Sequence, residues 1–153
     1  MNYWLFKSEP TTYGIDHLAK DKVTAWAGVR NYQARNFMRD AMQKGERGFF
    51  YHSSCEEPGI TGIVEVARAA YPDETQFERK SRYYDSAATK DNPRWFNVDV
   101  KFVKKTRVAG IAELRAQKAL KDMLILQRGS RLSITPVSAA EWDCVFGLLD
   151  RKP

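Results

Sequence analysis

Eight side chains spread along this 153-residue sequence share one kind of chemistry: Lys7, Ser8, Trp26, Arg30, Asn31, His52, Ser53 and Trp95. Indole faces stack on an unpaired nucleobase, while hydroxyls, amides and cationic groups read its hydrogen-bonding edge. Together they form a candidate base-binding pocket, in which each stacked base contributes roughly 1–3 kcal/mol. A plainer role accompanies several of them: Trp95 opens a strand and suits a core position, and Ser8 and Ser53 suit turn caps.

Other chemistries find less support in the residue types. The histidines and cysteines are His17, His52, Cys55 and Cys144, and His52-Ser-Ser-Cys55 alone is too sparse for a tetrahedral zinc set. A Cys55–His52 nucleophile lacks the sharp strand-to-helix turn that activates such a residue. Neither a Walker A loop nor a Gly-x-Gly-x-x-Gly turn follows any predicted strand, so no cofactor and no metal are implied.

The elements that must position these groups are read from periodicity. Residues Tyr3 to Phe6 make a short apolar strand that ends in the polar tip Lys7, Ser8 and Glu9 and is stopped by Pro10. A short helix is expected from Ile15 to Lys20, capped near Thr12 or Gly14, and then an extended segment to Trp26. Asn31 is a plausible N-cap for a helix reaching Met42, with Ala34, Phe37, Met38 and Ala41 on its buried face. Asn31, Arg35 and Arg39 stack on another face, near the positive end of the dipole, where Gly28 lets backbone approach a ligand.

Further strands are expected over Phe49 to Ser53, Ile60 to Val66 with a bulge or close approach at Gly62, and Trp95 to Val108. Short helices are expected from Ile111 to Leu120 and after the capping box Ser138-Ala-Ala-Glu141, where Trp142, Val145, Phe146 and Leu149 form an inward stripe. Leu124–Leu126 and Leu132–Ile134 read as short strands joined through Arg128 to Arg131. The segment 71–94 has little periodicity but carries Tyr71, Phe77, Tyr83, Tyr84 and a run of cations, which points to a functional loop. The pattern gives an α+β domain spanning 1–153, a small curved, mainly antiparallel β-barrel with peripheral short helices.

Charge adds direction. The net charge is +6 and the pI about 9.4, with the excess concentrated in residues 77–153; this favours an anionic partner. Arg35, Arg39, Arg79 and Arg82 are the candidate phosphate contacts. No apolar run approaches the ~18 residues of a membrane span, and the N-terminus reads as a strand rather than a signal peptide. The expectation is a monomer located in the cytoplasm, with association to the nucleoid open to it.

The motifs Tyr3-Trp-Leu-Phe-Lys-Ser-Glu-Pro10, Trp26 to Asp40, Phe49-Phe-Tyr-His-Ser53, Tyr71-Pro-Asp73, Tyr83-Tyr-Asp85, Pro93-Arg-Trp95 and the Arg131 to Val137 stretch together resemble the EVE domain family. The resemblance covers nearly the whole chain in order. It implies a PUA-like fold, related to the YTH readers of methylated adenine, and a non-catalytic reader of a modified base, such as a modified cytosine, in DNA or RNA. It assigns Trp26 as the first cage aromatic, Lys7 and Ser8 as a strand-end polar pair, and His52 and Ser53 as the polar edge opposite. Arg30 and Asn31 would read the base edge or the backbone, and Trp95 would supply a second cage wall. At Gly14 the family pattern commonly has a serine hydroxyl; glycine is a tolerable cap, so the next helix is weakened only modestly and binding is expected to remain.

Two other functions are weighed against this reader. ASCH-like relatives are similar to hydrolases acting on a modified nucleoside such as acetylcytidine, for which Lys7, Glu9 and Tyr51 would form an acid–base set. A protein-interaction module is the third.

Overall fold

The computed structural model of the protein describes residues 1–127 and 132–150. Six strands form one mixed sheet: β1 (Tyr3–Ser8), β2 (Val23–Ala25), β3 (Arg47–His52), β4 (Gly59–Pro72), β5 (Phe96–Gly110) and β6 (Ile134–Val137), in the order β2-β5-β4-β3-β1-β6. All neighbours pair antiparallel except β1 and β3, which run parallel from Tyr3 beside Arg47 to Ser8 beside His52.

The sequence leads to a curved, mainly antiparallel α+β fold, and the sheet has that character. It remains open, because the edge strands β2 and β6 have no pairing with each other among the described residues. The long strands β4 and β5 slip register four times, and such irregularities bend and twist a sheet. One slip falls between Ile60 and Gly62, and a Cβ on Gly62 would sit 2.5 Å from the Ile15 side chain. Both the bulge and the close approach expected at Gly62 are therefore present.

Alternation sets two cores. Phe6 and Phe50 face one side with Trp26, Met38, Val64 and Val98; Leu5 and Phe49 face the other with Ile63, Trp142 and Val145. Helices α1 (Pro10–Tyr13), α2 (Ile15–Asp21) and α3 (Tyr32–Asn36) lie between β1 and β3 in the chain, and α4 (Ile111–Arg115) and α5 (Ala139–Leu149) follow β5 and β6.

The Asn31 side chain caps α3 by accepting from the amides of Gln33 and Ala34 at 2.9 and 3.1 Å. The helix does not continue as α to Met42; Phe37–Ala41 form a π-helical turn. Leu124–Leu126 are a 3-10 turn rather than a strand, too short and too isolated to pair. The Ser138–Glu141 capping box closes with bonds of 2.9 and 3.1 Å. On α5 Trp142, Val145 and Leu148 are buried while Phe146 stays 41% exposed, so the stripe passes through Leu148 instead. The expected connection through Arg128 to Arg131 lies outside the described residues. No helix among the described residues is long and apolar enough to cross a membrane.

Candidate base-binding cleft

The parallel pairing of β1 and β3 brings two polar strand tips to one end of the sheet. The Ser53 amide donates to the Ser8 carbonyl at 3.0 Å, and the Lys7 amide to the Ser133 carbonyl at 2.8 Å. Over this end opens a cleft of about 610 Å³, within the usual size range of ligand sites. Its lining comes from the tip of β1, from α1, and from the segment running from β2 to Asn31.

Trp26 lines this cleft and is packed into the core, 8% exposed: Phe6 and Phe50 meet it at 5.2 and 5.8 Å in T-shaped contacts. The other aromatic in the lining is Tyr13. Its hydroxyl donates to Asp21 Oδ2 at 2.8 Å and its ring stacks on His17 at 5.5 Å. Lys7 and Ser8 line the cleft beside them, and burial lowers the Lys7 amine below the ordinary lysine range. Asn31 lines it at the rim, with Oδ1 spent on the helix cap and the amide nitrogen without a partner among the described residues. The arrangement suits a flat, polar-edged ligand that enters between aromatic groups.

Next to the cleft lies a densely bonded clamp. Arg30 uses all its donors internally: Nε and one Nη bond the Tyr83 carbonyl, and the remaining hydrogens reach the Val29 carbonyl, Asp73 and Thr75. Asp73, 1% exposed, also accepts from the Gly28 amide and from Thr75. Burial pushes its carboxyl up, but the bonds from Thr75, the backbone amides and Arg30 outweigh that and hold it below the ordinary carboxylate range. The fully buried Gln76 bonds the Asp73 and Trp95 carbonyls with Nε2 and accepts from the Arg94 and Trp95 amides with Oε1. Segment 71–94 is thus knotted onto the loop that carries Trp26 and Asn31.

A family model for the EVE domain matches residues 2–148. The chain belongs to the EVE domain family. This EVE domain is 46% identical to chicken (Gallus gallus) thymocyte nuclear protein 1, over 99% of this chain and 70% of that protein. Among solved structures it is similar to human THYN1 in complex with DNA containing 5-methylcytosine, at 44% identity and TM-score 0.91, with 100% of both chains covered. A Pseudomonas putida protein is 48% identical with TM-score 0.91, covering 95% of this chain and 98% of that one. The Mmi1 YTH domain, solved with RNA, is 14% identical with TM-score 0.57, covering 97% of this chain and 77% of that one, a likeness of fold alone.

Within this EVE domain the residues expected in the pocket separate into two sets. Lys7, Ser8, Trp26, Arg30 and Asn31 line the cleft; His52, Ser53 and Trp95 do not. His52 Nε2 accepts from the Ile15 amide at 3.0 Å, so this imidazole is used on α2 rather than on the cleft edge. Trp95 is as buried as Trp26 but lies outside the cleft lining; it donates Nε1 to Asp85 at 2.7 Å and stacks on Tyr32, inside the clamp. Gly28, with φ of +78°, approaches the Tyr83 ring, which a Cβ would meet at 2.7 Å; the close neighbour there is protein.

The candidate phosphate contacts divide as well. Arg35 bonds Asn36 and the Arg94 carbonyl and lies over the Tyr32 ring, and Arg39 pairs with Asp40. Arg79 and Arg82 are exposed on the loop, Arg82 over the Tyr83 ring at 5.1 Å. For the hydrolase alternative, Tyr51 is buried in the second core with Leu5 and Phe49, and exposed Glu9 is outside the cleft lining, so Lys7 stands there without them. Tyr13, Thr12, Thr24 and Ser133 were not anticipated. The signal for Tyr13 lies in Pro10-x-x-Tyr13: a single helical turn directly after the β1 tip keeps Tyr13 near that tip, where the cleft opens.

Proposed function

We propose that the protein is a non-catalytic reader that takes one modified base, a 5-methylcytosine-type pyrimidine in DNA being the first candidate, out of the stack and into the cleft beside Trp26. The observation that carries this is the cleft itself: an indole wall held by the core, with Lys7, Ser8 and Asn31 at its polar rim. Its support from relatives is the likeness in fold and sequence to a human protein solved with 5-methylcytosine DNA. Stacking supplies affinity, and the rim groups read the edge of the flipped base. Exposed loop cations such as Arg79 and Arg82 grip phosphates and set register, without carrying sequence information. The reading places the protein where such a polyanion is found, in the cytoplasm or on the nucleoid.

The test is titration of labelled oligonucleotides that differ only in one methylated cytosine, with RNA of the same sequence as a second arm. Tighter binding of the methylated strand is expected, together with a loss in Trp26→Ala that thermal unfolding shows to be folded. Equal affinity for both strands contradicts the reading.

A further inference from the structure

Tyr13 stands in the cleft on a mount that depends on two imidazoles. The Gly14 amide donates to His17 Nδ1 at 2.8 Å and the next amide, Ile15, to His52 Nε2 at 3.0 Å. The first turn of α2 is therefore capped by ring nitrogens of the chain's two histidines, from its own helix and from the end of β3. Gly14 makes room for this, since a Cβ there would lie 3.3 Å from His52 Nε2.

We propose that Tyr13 is the second stacking wall for the base, and that His17 and His52 are positioning residues that hold it, His52 only while its ring is neutral. The inference rests on the base-reading role of the cleft. An imidazole has an acceptor nitrogen only in its neutral form; protonation turns both nitrogens into donors that face the amide hydrogens. The same Tyr13 ring stacks on His17, so the wall and its support move together.

The charges around this mount are few. Asp16 and Lys105, bonded to each other at 2.8 Å, face His52 along with His17; Asp21 and Thr24 meet the Tyr13 hydroxyl. Burial lowers the His52 imidazole below its ordinary value, with Asp16 acting against this and Lys105 and His17 with it. The sign follows: the neutral ring is favoured in the folded state, so the hold is complete above about pH 6.5, the ordinary histidine value, and weakens as pH falls below it.

The test compares the full chain with a His17→Asn/His52→Gln double variant, which keeps an acceptor oxygen near each amide but does not titrate. Amide and Tyr13 ring resonances are followed without ligand from pH 8 to pH 5, and the Kd for 5-methylcytosine DNA is measured at both ends. In the wild type the Ile15 amide and the Tyr13 ring should titrate together, and binding should weaken about tenfold for each unit of pKa difference between free and bound protein. In the double variant both profiles should be flat, and Tyr13→Leu should weaken binding at pH 8 by about tenfold and lose the pH slope, as for one lost base stack. Flat wild-type amides, or parallel pH slopes in wild type and double variant, overturn the proposal while leaving the base reader intact. Absence of binding at every pH, with amides that titrate normally, overturns the base reader and this proposal with it.

Discussion

Two neighbouring polar regions use the same residue types in opposite ways. In the clamp, Arg30, Asp73 and Gln76 have their hydrogen-bonding capacity filled by protein. At the cleft rim, the Asn31 amide nitrogen and the Ser8 hydroxyl have no partner among the described residues. Filled polar groups hold a shape; open ones at a concave surface are available to a ligand. Trp26 and Trp95 repeat the lesson, the first lining the cleft and the second donating its N–H inside the clamp.

The comparison predicts stability losses from clamp mutations and binding losses from rim mutations. The largest effect is expected for Asp73→Ala, which strands Arg30 and the Gly28 amide and should cost on the order of 3 kcal/mol in chemical denaturation. Because the folded Asp73 carboxyl is held below its ordinary value, its contribution is present above about pH 4 and lost as pH falls further; Asp73→Asn should lack that part of the acid transition. Gly28→Ala comes next, at about 1–2 kcal/mol for the left-handed backbone plus the clash with Tyr83, read as a lowered Tm.

Ser8→Ala should sharpen the contrast from the other side. Its Tm should match the wild type, and affinity for the modified oligonucleotide should fall by about 0.5–1.5 kcal/mol, the net value of one hydrogen bond. A lower Tm with unchanged affinity would move Ser8 into the structural set. The smallest effect belongs to Arg79→Ala and Arg82→Ala, which should weaken methylated and plain strands alike and reduce the salt slope by about one each. A change in base preference would break the division between grip and readout.

Much of this was legible in the sequence because it is local. The apolar run Tyr3–Phe6, the alternation in Phe96–Phe102, the Asn31 cap and the Ser138–Glu141 box need only neighbours to form, and the α+β class follows from them. Five of the eight expected pocket residues line the cleft for a related reason: strand tips and the loop after β2 gather at one sheet end. What was not legible depends on partners distant in sequence. Arg30 reads as a ligand-binding cation until Asp73 and Tyr83, more than forty residues on, occupy it. Trp95 and His52 likewise read as pocket groups until Tyr32 and the Ile15 amide, both distant in sequence, engage them, with Asp85 joining at Trp95.

The central claim is that a base enters the cleft and the clamp only supports it. The most direct measurement is nuclear Overhauser contact from a ¹³C-labelled methyl group on the 5-methylcytosine of bound DNA. Contacts from that methyl to the ring protons of Trp26 and Tyr13 are predicted. Contacts to Tyr32 or Trp95 instead, or a methyl that keeps the signature of stacked duplex, would contradict the account.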